Sequence, residues 1–130
     1  VAKRQVPSGW TLSVVPGVTV EQRVTPLTRI GCYVPGGRHP LPSSLLMTAI
    51  PAQVAGVSEI IAVCPKIDPS ICTAALEAKV SRLFRVGGAH AIAALAYGTK
   101  NIPRVDKIVG PGNTYVSTAK ALVANDCPID

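Results

Sequence analysis

A chain of 130 residues with 48% hydrophobic and 15% charged side chains is too apolar to be disordered and long enough to be one domain. At that length it buries roughly two-thirds of its unfolded surface. The formal net charge of +6 is spread over scattered Lys and Arg, with only Lys3 and Arg4 adjoining. No aromatic residues interleave with them, and that argues against a nucleic-acid partner.

Residues 1–10 are polar and weakly patterned. Thr11–Val15 and Val18–Arg23 are rich in β-formers around Pro16-Gly17, which predicts a short β-ribbon. From Arg29 the rhythm changes. Arg29–Val34 reads as a strand stopped by Pro35-Gly36-Gly37, and Ser43 or Ser44 is expected to cap a helix running to about Gly56. Pro51 is expected to kink or interrupt that helix. Glu59–Cys64 is the next strand, closed by Pro65. Pro69–Lys79 reads as a helix with Ser70 near its start. Arg82–Val86 is a third strand, Ala89–Gly98 an alanine-rich helix, and Lys107–Gly110 a fourth, short strand. Asn113 is placed to cap a last helix ending near Asn125.

Four strand–helix units in succession predict an α/β fold: a Rossmann-like parallel sheet of about four strands with helices on both faces. Aromatic residues are only 4% of the chain, so its core should be built from Val, Ile, Leu and Ala, as buried parallel strands prefer. The expected division is an N-terminal segment with the ribbon, residues 1–28, belonging with a neighbouring domain of a longer parent, and the Rossmann-like domain, residues 29–130. The chain starts without methionine and stops at Pro128-Ile129-Asp130. It reads as a processed product or a piece of something longer.

Right-handed crossovers put every strand's carboxyl end on one edge. Three glycine turns should gather there: Tyr33-Val34-Pro35-Gly36-Gly37, Val86-Gly87-Gly88-Ala89-His90 and Val109-Gly110-Pro111-Gly112-Asn113. Glycine lets a ligand approach the backbone, and a helix N-terminus carries partial positive charge, so such a rim suits a phosphate or nucleotide. The turns contain no G-x-G-x-x-G, so the ordinary dinucleotide fingerprint is absent. Tyr33 is open to two readings, a core aromatic with its hydroxyl at the surface or a flat ring stacking on a base. Asn113 can cap its helix and also offer an amide to a ligand. His90 has no nearby carboxylate or cysteine in sequence to orient it as a base, which points to a binding or structural role. His39 is expected to face solvent.

Chemistry beyond binding is not visible. The two histidines are 51 positions apart, and neither H-E-x-x-H nor C-x-x-C occurs. Cys32, Cys64, Cys72 and Cys127 read as free thiols in a reducing compartment, with no signal peptide ahead of them. Acidic residues are dispersed, and Ser43, Ser44 and Ser81 lack a nucleophile-elbow context. The longest apolar stretch, Leu45 to Val57, contains Gln53 and Pro51 and is too short to span a bilayer.

Several of these stretches together resemble histidinol dehydrogenase. They are Gly31-Cys32-Tyr33-Val34-Pro35-Gly36-Gly37, Leu45-Leu46-Met47-Thr48-Ala49-Ile50-Pro51-Ala52, Gly87 to Thr99, Val105 to Asn113, and the earlier Gln22-Arg23-Val24-Thr25-Pro26-Leu27. The resemblance covers nearly the whole chain. It implies a zinc-requiring, NAD-dependent oxidation of L-histidinol to L-histidine through the aldehyde, the last step of histidine biosynthesis. It also implies a cytoplasmic homodimer, and a fold related to the aldehyde dehydrogenases of which this chain is the second nucleotide-binding half. Carried over by motif, the family's NAD contacts fall on Tyr33, on position 90 and on Asn113, with Gly88 and Gly112 the bare backbone of the same turns. At position 90 the family usually has glutamine. His90 keeps one hydrogen-bond donor but lacks the amide's paired donor and acceptor. The family's zinc ligands and Glu-His acid–base pair lie past the Ile-Asp motif at which this chain stops, so no catalytic or metal residue is expected here, and an isolated piece should not turn over histidinol. The competing expectations are a non-catalytic nucleotide-binding or assembly module that kept the fold, and an anion binder that uses its basic surface.

Overall fold

In a computed structural model that describes residues 1–37 and 39–130, the chain forms a parallel four-stranded sheet and a separate two-stranded ribbon. After a single 3-10 turn, Ala2–Arg4, the ribbon pairs β1 (Trp10–Val15) with β2 (Val18–Gln22) in antiparallel register. Every residue of the ribbon is exposed, on both faces. The sheet and its helices follow as β3 (Arg29–Tyr33), α1 (Pro42–Val54), β4 (Glu59–Val63), α2 (Pro69–Glu77), β5 (Arg82–Phe84), α3 (Gly88–Tyr97), β6 (Lys107–Val109) and α4 (Thr114–Val123).

Strand order is β5-β4-β3-β6, with every pair parallel. The chain winds outward from β3 through β4 to β5, then returns across the sheet to lay β6 on the other side of β3. Ile129 bridges Ile108 and begins a further parallel neighbour at the β6 edge. Alternation along the strands explains how both faces come to be covered. Ile30, Cys32, Val34, Ile60, Ala62 and Cys64 point to the side where α1 and α2 bring Leu45, Ala49, Ile71 and Ala74. Tyr33, Ile61, Val63 and Ile108 point to the other, against Ala91, Ile92, Leu95 and Ala96 of α3 and Val116 and Val123 of α4.

Helix starts follow local chemistry, with two departures from expectation. α1 begins at Pro42 with Leu41 before it and no side-chain cap, in place of a serine cap. Proline has no N–H to leave unsatisfied and its φ is already helical, so it starts a helix by itself. The same helix runs on through Pro51 to Val54 without interruption. α2 is capped by Asp68, whose carboxylate accepts the Ile71 amide at 3.1 Å and the Ser70 hydroxyl at 2.7 Å. Asn113 caps α4 as expected, its Oδ1 accepting the Val116 amide at 3.1 Å.

The two edges of the sheet differ in kind. At the amino edge Glu59 lies between Arg29, at 2.5 Å, and Arg82, at 3.3 Å, while Asp106 accepts the Arg29 amide at 2.7 Å. Those bonds tie neighbouring strands in register and occupy their charges structurally. The carboxyl edge carries the glycine turns.

Mid-sheet, Gly31 makes room for Leu95 of α3. A Cβ there would lie 3.0 Å from both Leu95 methyls and 3.2 Å from Val105. Gly31→Ala should therefore destabilise by about 1–3 kcal/mol through overpacking. Leu95→Ala should do so by about 2–5 kcal/mol through the cavity it leaves. Combined, the two should cost clearly less than their sum, because the new methyl enters the new cavity. Urea denaturation of the four variants of this cycle checks it, and strict additivity would mean that the two sites do not touch.

Candidate functional site: the carboxyl rim of the sheet

Parallel pairing brings the carboxyl ends of β3, β4, β5 and β6 to one edge. The order reverses between β3 and β6, and open α/β sheets bind ligands in the crevice at such a point. What holds the turns together there is close contact.

Pro65, directly after β4, is wedged between two of them. A Cβ on Gly36 would collide with its ring, and one on Gly87 would stand 2.5 Å from its Cβ. Both glycines are thus required by packing before any ligand is considered. Gly110 meets Tyr33 in the same way, since its φ is +113° and a Cβ would fall on the Tyr33 carbonyl oxygen. Gly112 packs over Val116 of the helix that follows, leaving no room for a Cβ.

Gly88 is different. Its φ is +65°, which a side chain resists, yet nothing lies within 4 Å of where a Cβ would be. Here the backbone is bare and the space above it open. α3 starts at this residue with Gly87 before it and no side-chain cap, whereas α2 and α4 have theirs. The Gly88 amide donates to the Tyr33 hydroxyl at 3.1 Å.

Tyr33 is 4% exposed. Its ring is packed in the core beneath α3 and α4, so its phenolic oxygen is what it brings to the rim. His90 lies exposed on the first turn of α3, two residues beyond Gly88. Asn113 is exposed, and one amide oxygen is engaged in its cap. The structure thus joins Tyr33 to Gly88 by a hydrogen bond and to the Gly110 turn by contact, and it sets His90 and Asn113 at the heads of the two helices above.

An ion pair with one buried partner, Lys120, and one half-exposed partner, Asp130, anchors the third turn. The ammonium of Lys120, 7% exposed on α4, reaches back to the Gly110 carbonyl at 3.1 Å and pairs with the Asp130 carboxylate. The second Asp130 oxygen accepts the Gly110 amide at 2.8 Å. Their pairing escaped the sequence, because a lone Lys on a helix and the Asp of the Ile-Asp motif show no relation until the fold brings them together. Pro65 was read only as a strand stop.

Burial would raise the Asp130 carboxyl, but the Gly110 amide, the Lys120 bond and the Lys120 charge outweigh it and hold it below the ordinary range. Cys32, beneath this corner, is pushed up to about 11, chiefly by burial. It is a protonated core thiol at neutral pH and no nucleophile. Among the described residues no group of three or more His, Cys, Asp and Glu could hold a metal ion, and no helix is long and apolar enough to cross a membrane.

A second concavity flanks the sheet on the side of the N-terminal segment. An apolar groove of about 770 Å³ runs between the N-terminal segment and α1, lined by Val6, Pro26, Leu27, Met47 and Pro51. Its lining is mainly apolar side chains, reaching Val109 and Asp130 at one end.

A doubly wound sheet whose glycine turns crowd a switch point is a Rossmann-like α/β unit. The comparisons make this specific. The chain matches the family model of histidinol dehydrogenase over residues 1–130 and belongs to that family. It is 52% identical to histidinol dehydrogenase of Geobacter sulfurreducens over 98% of this chain and 31% of that protein. It is 53% identical to the enzyme of Oceanobacillus iheyensis over 95% of this chain and 30% of that one. The crystal structure of histidinol dehydrogenase from Elizabethkingia anophelis superposes with a TM-score of 0.93 at 36% identity, covering 99% of this chain and 31% of that chain. The chain thus spans a little under a third of the length of the relatives it matches.

The Asp130 shift makes a pH prediction. A carboxyl depressed in the fold contributes stability that is fully present above its ordinary value of 3.8 and is lost as pH falls through its own lower value. The stability gap between the wild-type chain and Asp130→Asn should be constant at neutral pH and close progressively in acid. Urea melts along a pH series measure it, and a gap that stayed constant to the lowest pH would show that Asp130 titrates alike in both states.

Proposed function

We propose that this chain is the NAD-binding part of a histidinol dehydrogenase. The activity belongs to a polypeptide of its relatives' length: NAD-dependent oxidation of L-histidinol to L-histidine through the aldehyde, the last step of histidine biosynthesis. The same reading takes that polypeptide as a cytoplasmic homodimer, with residues 1–28 packed as part of a neighbouring domain.

The observation that carries the reading is Gly88. Its backbone is held at positive φ by the fold, no atom stands where a side chain would be, and an uncapped helix starts there beside a tyrosine hydroxyl. Free amides at such a start attract the pyrophosphate of a dinucleotide. In this reading Gly88 admits the cofactor to the backbone, and the Tyr33 hydroxyl orients it. Asn113 presents its amide nitrogen while its oxygen stays in the cap, and Gly112 keeps the third turn low. His90 reaches the cofactor with a ring nitrogen in place of the usual amide. When bound, NAD supplies the hydride acceptor, and these residues bind and orient it.

The same test fails for zinc. The described residues offer no ligand cluster, so the metal and the acid–base groups are assigned to the two-thirds of its relatives' length that this chain does not span. No step of the reaction is routed through residues 1–130.

Calorimetry with NAD tests the reading. The wild-type chain should bind, and Gly88→Val should abolish binding with an unchanged circular dichroism spectrum, since valine strains the turn but meets no neighbour. His90→Gln, which restores the family residue, should tighten binding. A folded wild-type chain that ignores NAD would favour the non-catalytic module, and unaltered affinity in Gly88→Val would remove Gly88 from the site.

A further inference from the structure

Of the three turns, one is held by charge. The first two lean on the Pro65 ring. The third, Gly110-Pro111-Gly112-Asn113, is gripped by Lys120 and Asp130 from behind. Three bonds converge there: Lys120 Nζ to the Gly110 carbonyl, Lys120 Nζ to Asp130 Oδ1, and the Gly110 amide to Asp130 Oδ2. Both polar groups of one glycine are therefore bound by one ion pair. That glycine touches the Tyr33 backbone at the end of β3, and Tyr33 holds Gly88 through its hydroxyl.

We propose that Lys120 and Asp130 are positioning residues that lock the third glycine turn against the end of β3 and so fix the crevice between β3 and β6 in its cofactor-receiving shape. The proposal rests on the NAD reading above for its functional half. Its structural half stands on the three bonds.

The chemistry explains why an ion pair is used. The turn leaves β6 at a residue with φ +113°, and it must stop at Asn113 in an extended conformation to start α4. Among the described residues the Gly110 amide and carbonyl are bonded by Asp130 and Lys120 and by no strand. A buried ammonium supplies several donors on a flexible stem, and a carboxylate accepts with both oxygens. Charge-assisted bonds are the strong kind, so the turn is pinned without a side chain of its own. The Lys120 charge is spent on this and is buried, so it is not a free phosphate ligand. Asp130 arrives through the Ile129–Ile108 bridge, which makes that edge strand part of the device.

Lys120→Met removes the ammonium and keeps most of the stem. Lys120→Met with Asp130→Leu removes both charges. Lys120→Met leaves the half-exposed Asp130 carboxylate without its cation, a modest loss that water offsets in part, and removing both charges relieves it. Global stability should therefore drop in the single variant and recover in part in the double. Turn anchoring should recover in neither. In both variants the Gly110 amide should exchange with solvent at least about tenfold faster than in the wild-type chain, read by NMR hydrogen exchange. NAD affinity by calorimetry should fall about tenfold in both. A merely structural pair would give affinity that recovers along with stability.

Wild-type exchange of the Gly110 amide in Lys120→Met overturns the proposal outright. So does NAD affinity that recovers in the double variant. If the wild-type chain takes up no NAD while the amide exchange still rises in both variants, the cofactor reading fails and the anchoring of the turn stands.

Discussion

Where β3 and β6 end, two backbones meet with no side chain between them. The Tyr33 carbonyl oxygen occupies the place where Gly110 would otherwise carry a Cβ. That contact brings the switch point of the sheet to backbone distance, and the rim follows from it. The β6 turn must leave at positive φ, an ion pair must hold it, and α4 must start close above. On the other flank Pro65 keeps Gly36 and Gly87 without side chains, so α3 also starts at bare backbone. The result is a row of amides and small residues at one edge, while arginines and acids tie strands together at the other.

Such an arrangement gives glycine two meanings that a sequence cannot separate. Gly36, Gly87 and Gly110 are fixed by neighbours, and any larger residue would push strands or turns apart. Gly88 is fixed by conformation alone and faces open space. Only the second kind points toward a ligand. Tyr33 divides similarly: its ring is core and its hydroxyl is rim. The open polar groups of this edge are thus concentrated on a few backbone positions, and the surrounding packing keeps them in place.

Much of this was legible beforehand. Alternation of short apolar runs with helical segments predicted the parallel α/β sheet and the ribbon, because buried strands and crossover helices leave distinct patterns. The glycine turns located the rim, and Asn113 announced its helix. The start of α2 at Pro69 was read as found, with its Asp68 cap unread, whereas at α1 serine was favoured over the proline start at Pro42. What could not be read was the set of contacts between residues far apart in the chain. Pro65 touching two turns, the Lys120–Asp130 pair, and the Ile129 bridge exist only once the crossovers have been made. The family resemblance reached the same rim by motif, independently of that geometry.

The most direct test of the account is a chemical-shift map, with NAD titrated into the isotope-labelled chain and every backbone amide followed. The account predicts that the shifted amides fall in residues 34–37, 86–90 and 110–114, at one edge of the sheet. Shifts confined to the apolar groove beside α1, to the amino edge around Glu59, or to none of the amides would contradict it.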